Sequence, residues 1–147
     1  MTEKGRPYTL RVPYKEFPDP QGGVLWSATL NVQIAIPKEN SPRTKRFEAA
    51  IDSGASRCIF HASIGEFIGL EIDKGPEEQT MGIAGPTATH LHDIHLYAPG
   101  GIIEIRAGFS KDLPLAGVLG MKGFFEHFRI LFDPAGQCCD LERVYQA

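Results

Sequence analysis

The residues best suited to chemistry are the tetrad Asp52-Ser53-Gly54-Ala55. They follow the short apolar run Phe47–Ile51, which predicts a strand that ends at the carboxylate. A carboxylate in that place can act as a general acid or base, and Gly54 lets the backbone turn so that its N–H approaches it closely. Asp, Ser and Gly are also common turn formers, so the tetrad by itself leaves a plain turn as the other interpretation.

Hydrolysis by carboxylic acids of this kind needs two carboxyl groups that face each other. When they lie about 3 Å apart they cannot both ionise, because each negative charge raises the pKa of the other, so the pair holds one proton. The ionised member can then take a proton from water while the protonated member polarises a peptide carbonyl. The tetrad occurs once in 147 residues, so a paired site requires a second copy of the chain.

The elements that must position the tetrad are predicted to be short strands. Residues 26–36 alternate apolar and polar side chains, which is typical of a half-buried antiparallel strand. Residues 62–68 and 121–127 have the spacing of two short helices, and the chain lacks the strand–helix alternation of parallel sheets. The predicted fold class is therefore all-β, a small closed β-barrel or sandwich with two short helices.

The domain organisation is predicted to be simple. Residues 1–25 are rich in proline, glycine and charge, and are predicted to be an irregular arm with one short strand near residues 8–12. Residues 26–147 are predicted to form one domain. Trp26 begins an apolar strand face and is expected in the core, as are Phe124, Phe125 and Phe128.

Composition and charge exclude several classes of function. The net charge of −3 gives no electrostatic footprint for nucleic acid, and the one basic cluster, at residues 43–46, is interpreted as a solvated loop. No apolar run is long enough for a membrane span, and residues 1–15 lack the apolar stretch of a signal peptide. The three cysteines do not look like a disulfide framework, so we expect a cytoplasmic protein. From the charge and the apolar pattern we expect neither membrane nor nucleic-acid partners.

Two other groups of residues have alternative interpretations. His90 and His92 would share one face of a strand, where they could hold a metal ion or simply form a polar outer face; the second is favoured, and no metal or other cofactor is expected. Cys58 lies close to Asp52 in the sequence, but no histidine is placed beside it. It is therefore interpreted as a small core residue rather than as a nucleophile.

Three segments, in their order and spacing, resemble the retropepsin-like aspartic peptidases, which are single-domain relatives of pepsin. They are residues 49–56 with the tetrad, residues 64–70 with the helix that follows it, and the run Gly117-Val118-Leu119-Gly120-Met121 with Phe124-Phe125 after it. The resemblance covers roughly residues 26–144. It implies a barrel of the acid-protease type.

The resemblance also implies an activity and an assembly. It implies an endopeptidase that acts on peptide or protein substrates as a homodimer, in which each chain supplies one Asp52 to a site on the two-fold axis. It implies that Ser53 and Gly54 support the catalytic loop and that the hairpin after residue 80 is a flap over the substrate. The residues expected to bind substrate are Ala55, Ser56, Gly82, Ile83, Ala84 and Gly85.

Ser56 and Met121 depart from the family pattern. Many viral members carry an acidic residue at the first of these positions and a basic residue at the second, and the two form an ion pair. Here both positions are neutral, which leaves no charge without a partner. The missing pair leaves open a catalytically inactive barrel that serves as a dimerisation or peptide-binding module. A metal-binding barrel, which would use the histidines, is the third alternative.

Overall fold

The computed structural model describes residues 9–82 and 85–145. Within these residues no helix is long and apolar enough to cross a membrane. The strands there are β1 (Thr9–Pro13), β2 (Lys15–Pro18), β3 (Val24–Ser27), β4 (Thr29–Ala35), β5 (Phe47–Ile51), β6 (Ile59–His61), β7 (Glu77–Gly82), β8 (Gly85–Ala98), β9 (Gly101–Ser110), β10 (Gly117–Leu119), β11 (Phe128–Asp133) and β12 (Cys138–Arg143).

Six of these strands close into a barrel. Their order is β4-β5-β10-β6-β9-β8, and β8 returns to pair with β4, while β7 extends the sheet beyond β8. β4 pairs with β5 from Thr29 opposite Ala50, and with β8 from Gln33 opposite Tyr97. The predicted all-β closed barrel is confirmed.

The core fills the barrel through the alternation expected of half-buried strands. In β4, Leu30, Val32 and Ile34 are buried, whereas Asn31 between them is exposed. Burying each such aliphatic side chain stabilises the fold by about 1.5–3 kcal/mol relative to leaving it in water. The largest side chains that are fully buried come from several strands and from the segment before the turn at Phe125, and are Phe60, Phe109, Phe124, Ile34, Ile94, Leu96, Leu119 and Leu141.

The N-terminal arm is more regular than the sequence indicated. The strand expected near residues 8–12 is present as β1, which pairs with β12 in a three-stranded sheet of order β1-β12-β11. The hairpin of β2 and β3 was not predicted, because Pro18, Pro20 and the glycines suggested irregular chain. Gly22 and Gly23 both have positive φ and form its turn, a conformation that glycine adopts without steric cost.

The strand predicted over residues 26–36 is in fact two strands, and the prediction that Trp26 lies in the core was wrong. The strand is interrupted at Ala28, between β3 and β4. Trp26 belongs to the two-stranded sheet of β2 and β3, opposite Glu16, and is 41% exposed. The apolar alternation continues through the break, so the sequence pattern alone does not reveal it.

The first predicted helix is confirmed as α1 (Ala62–Phe67), and it ends before Gly69, whose φ is +96°. His61 caps it, since its Nδ1 accepts the Ser63 N–H at 3.1 Å. A 3-10 turn, Ile72–Lys74, follows it. The helix predicted over residues 121–127 is only a 3-10 turn, Phe125–His127.

One reason for this shorter turn is that the Lys122 carbonyl, which a helix would use as an acceptor, instead accepts the Cys58 N–H at 3.2 Å. Gly123 adds a break, with a φ of +101°. Phe124 and Phe128 are buried as expected and stack with ring centroids 4.6 Å apart, whereas Phe125 is only half-buried.

Candidate active site

Asp52 lies immediately after β5, where two parallel strands end side by side. β5 and β10 are parallel neighbours, with Ala50 opposite Val118 and Ile51 opposite Leu119. The Asp52 N–H donates to the Leu119 carbonyl at 3.0 Å, which extends this pairing by one residue. Because both strands run in the same direction, they deliver Asp52 and Gly120 to the same end of the barrel.

The loop after Asp52 is held by backbone groups. The Gly54 N–H donates to Asp52 Oδ1 at 2.8 Å, and the Ala55 N–H donates to the Asp52 carbonyl at 3.2 Å. Asp52, Ser53 and Gly54 are exposed, whereas Ala55 is buried. The tetrad thus presents an oriented carboxylate at the surface of a single chain, with one oxygen held by an amide.

A second segment crosses the loop and fixes it from behind. The Met121 N–H donates to the Ala55 carbonyl at 2.8 Å, and the Lys122 N–H donates to the Ser56 carbonyl at 3.0 Å. A Cβ on Gly120 would lie 2.7 Å from the Ala55 carbonyl oxygen, so only glycine fits this crossing. Ser56 and Met121, the positions at which many viral members carry an ion pair, thus belong to two segments that backbone hydrogen bonds join.

The predicted hairpin after residue 80 is present as β7 and β8. Its strands pair in register from Glu77 opposite His90 to Gly82 opposite Gly85. Ile83 and Ala84, which were expected to contact substrate, lie outside the described residues. The flap function of the hairpin stays a prediction.

One pair of residues close to the site was missed by the sequence reasoning. Arg57, which follows Ser56, forms an ion pair with Glu78 in β7, with Nε 2.9 Å from Oε1 and Nη2 3.3 Å from Oε2. Nothing in the sequence pairs these two residues, because they are far apart in the chain and either one alone is an ordinary surface charge. The signal that could have found them is the prediction that a hairpin covers the loop.

The histidine and cysteine candidates have structural explanations. The His90 ring Nδ1 lies 2.9 Å from the Gly75 carbonyl, and the His92 ring Nε2 lies 2.9 Å from the Ile72 carbonyl. Within residues 9–82 and 85–145, no group of three His, Cys, Asp or Glu side chains could hold a metal ion. Cys58 is fully buried, and this burial raises the pKa of its thiol to about 12, so it is a core residue rather than a nucleophile.

A groove of about 760 Å³ lies elsewhere, between β1 and β4, and its lining does not include Asp52. Three of its basic side chains already have partners. Lys15 Nζ lies 3.0 Å from a Glu48 carboxylate oxygen, the Arg11 guanidinium pairs with Asp140, and Arg43 stacks over Tyr97. These three side chains are therefore less available to bind an anionic ligand in the groove.

The chain matches no protein-family model and no curated protein sequence. It is similar in structure to a retropepsin-like aspartic protease from Rickettsia conorii, with a TM-score of 0.57 and 11% sequence identity, over 93% of this chain and 94% of that one. EIAV protease in complex with the inhibitor HBY-793 is also similar, with a TM-score of 0.47 and 18% identity, over 64% of this chain and 81% of that one. The first likeness shows that this chain has the retropepsin-like fold.

Proposed function

We propose that this protein is an aspartic endopeptidase that acts as a homodimer. It hydrolyses peptide bonds of a substrate held at a pair of Asp52 carboxylates, one from each chain. The observation that carries the proposal is the exposed Asp52 carboxylate, oriented by the Gly54 N–H at 2.8 Å, at the end of parallel strands in a retropepsin-like fold. An ordinary turn would not require the crossing segment that fixes this loop.

In the proposed mechanism the two carboxylates share one proton. The ionised carboxylate takes a proton from a water molecule that attacks the peptide carbonyl, and the protonated one donates to the carbonyl oxygen. Ser53 and Gly54 hold the loop, while Ala55 and Ser56 form part of the floor under the substrate. The β7–β8 hairpin closes over the substrate and excludes bulk water.

The open edge of β11 supports the proposed dimer. Among the strands that the structure describes, β11 pairs only with β12, so its other edge is open. Leu131 and Phe132 in this strand are 65% and 37% exposed. Open apolar edges tend to pair with another chain, and a two-fold axis would bring two such edges together.

This edge is close to the site in the fold. The Phe125 N–H donates to the Gly120 carbonyl at 3.1 Å, and the Phe125 ring stacks with Phe132 at a centroid distance of 6.5 Å. A dimer formed through β11 would thus lie against the segment that fixes Asp52. This connection supports a shared site more than a dimer that leaves the two carboxylates apart.

The alternative function is an inactive barrel that binds peptides or mediates dimerisation. The neutral Ser56 and Met121 favour it, because the ion pair that locks many viral dimers is absent. The two functions differ in one respect that can be measured, since both predict a dimer but only the peptidase requires the carboxylate of Asp52.

A reducing compartment such as the cytoplasm is part of the proposal. Cys58, Cys138 and Cys139 are all free thiols in the structure. Free thiols persist most readily where the cell keeps cysteines reduced.

Substitution Asp52→Asn tests the proposed activity. The amide keeps the size of the side chain but cannot share a proton, so we expect peptide cleavage to fall by at least about 1,000-fold. Cleavage by the native protein should also be sensitive to pepstatin and fastest at acid or mildly acid pH. The control is Asp112→Asn, which alters an exposed aspartate outside the site and should leave cleavage unchanged. Full activity of the Asp52→Asn protein would rule the mechanism out.

A further inference from the structure

The guanidinium of Arg57 connects three parts of the fold. Its Nε and Nη2 donate to the two carboxylate oxygens of Glu78 in β7, at 2.9 and 3.3 Å. Its Nη1 donates to the Arg106 carbonyl in β9 at 3.1 Å. A fork-to-fork pair of this kind fixes direction as well as distance, which a single contact does not.

This pair is less exposed than the other arginine–carboxylate pairs on the barrel and sheet. The side chains of Arg57 and Glu78 are 13% and 34% exposed, whereas those of Arg106 and Asp93 are 54% and 51% exposed. Water and salt screen a sheltered pair less, and the loss of one partner leaves a partly buried charge behind. The Arg57–Glu78 pair should therefore restrain its two segments more strongly than a surface pair does.

The two residues belong to the two segments that a substrate would lie between. Arg57 ends the loop that begins at Asp52, and its backbone forms a bridge with Lys122 of the crossing segment. Glu78 lies four residues before Gly82 in β7, which is about 13 Å along an extended strand. The Glu78 carbonyl also accepts the Thr89 hydroxyl at 3.1 Å, so the same residue ties β7 to β8.

We propose that the Arg57–Glu78 pair positions the flap relative to the catalytic loop. It fixes the base of the β7–β8 hairpin against the loop that carries Asp52, so bending is confined to the part of the hairpin beyond Glu78. The inference rests on the proposed function, because it assigns the position of the flap over that site. Arg57 and Glu78 are positioning residues, since neither is required to touch the scissile bond.

Loss of the pair should weaken substrate binding more than the chemical step. A hairpin with a loose base spends less time closed, and the apparent affinity falls with the population of the closed form. Asp52 keeps its own hydrogen bonds from the backbone, so the carboxylate stays in place. The expected signature is thus a raised KM with little change in kcat.

Three variants test the pair and one serves as a matched control. Glu78→Gln removes the charge but keeps the shape, and Arg57→Lys keeps the charge but removes the fork. The double variant Arg57→Glu/Glu78→Arg swaps the two charges and so restores an oppositely charged pair. The control is Arg11→Lys, because Arg11 in β1 forms a similar fork with Asp140, at 2.8 and 3.1 Å, away from the loop and the hairpin.

The measurements are peptide cleavage kinetics and backbone hydrogen–deuterium exchange over residues 77–90. Glu78→Gln and Arg57→Lys should each raise KM by about tenfold, with kcat within about threefold of the native value. Both substitutions should speed hydrogen–deuterium exchange in the hairpin. The double variant with swapped charges should recover part of both effects. Arg11→Lys should change neither quantity.

The inference would be overturned if Glu78→Gln and Arg57→Lys both had the same KM and the same hydrogen–deuterium exchange in the hairpin as the native protein. Exchange is measured in the Asp52→Asn background as well, where it does not depend on catalysis. If the native protein cleaves no peptide, the proposed function fails, and faster hairpin exchange in the two variants still supports the link between loop and hairpin. If cleavage requires Asp52 but the pair has no effect, only the link fails.

Discussion

Asp52 owes its orientation to one residue without a side chain. A Cβ on Gly54 would lie 3.1 Å from Asp52 Oδ1, tighter than ordinary contacts, although the backbone of Gly54 has no positive φ that requires glycine. The demand for glycine at this position therefore comes from the close approach of the carboxylate and not from the backbone conformation. This makes Gly54 a residue through which the position of the carboxylate can be changed.

We predict that Gly54→Ala lowers kcat by about 10–100-fold, because a shift of a few tenths of an ångström to 1 Å misplaces the carboxylate. The backbone is not strained by alanine here, so the melting temperature should fall by only a few degrees. Steady-state kinetics and thermal unfolding check both parts. An unchanged kcat in a folded Gly54→Ala protein would show that the contact with Asp52 does not matter.

At the scale of single residues, the sequence predicted what depends on residue type and near neighbours. The tetrad and the buried Cys58 are of this kind, since a strand before Asp52 and an apolar context around Cys58 are both visible in the order of residues. The Arg57–Glu78 pair is not, because it exists only after the barrel brings β7 against the loop. The prediction that Trp26 lies in the core failed for a related reason, since the alternation shows which face is apolar but not what covers that face.

Among the elements, β11 has the clearest consequence for assembly. Its exposed Leu131 lies on the strand whose outer edge is open among the described residues. An edge strand with apolar side chains and an unpaired backbone is suited to pair with a second copy. The proposed dimer therefore depends on this strand more than on the rest of the surface.

We predict that Leu131→Lys weakens dimerisation by at least about tenfold, because charges on an edge strand oppose pairing between chains. The side chain is 65% exposed, so the monomer should keep its fold. Sedimentation at several concentrations, with circular dichroism of the same samples, checks both parts. Ile102→Lys is the matched control, since Ile102 is 51% exposed on the barrel strand β9. Equal dissociation constants for the native protein and Leu131→Lys would assign the interface to another surface.

Elements were predictable where local signals agreed and were not where a distant segment intervened. The helix α1 has the apolar spacing of a helix and a glycine after its end, and both signals hold in the structure. Residues 121–127 have similar spacing, but the Lys122 carbonyl, which a helix would use, accepts the Cys58 N–H instead, and Gly123 has a φ of +101°. Tertiary pairing overrides local preference at this point.

In the whole molecule, the barrel and the three-stranded sheet have different roles in the proposed assembly. The barrel closes on itself through the pairing of β8 with β4, whereas the sheet of β1, β12 and β11 has an open side. The sequence predicted the closed all-β fold because periods of two with frequent turns are typical of it. It did not show which strands close the barrel, since that pairing joins segments distant in the chain.

In the proposed homodimer, one tetrad per chain is enough. The fold delivers a single oriented carboxylate, and the proposed chemistry of a shared proton needs two of them about 3 Å apart. In this proposal the site is half present in each chain, and its completion depends on the geometry of the assembly. The central claim is therefore a claim about where two Asp52 side chains lie relative to each other.

The measurement that tests this claim most directly is a crystal structure of the assembly that forms in solution. We predict an isologous dimer in which the two Asp52 carboxylates lie across the two-fold axis within hydrogen-bonding distance, about 3 Å apart. The β11 strands should lie at the interface and the two hairpins over the shared site. A dimer that holds the two carboxylates far apart, or a protein that cleaves peptides as a strict monomer, would contradict the account.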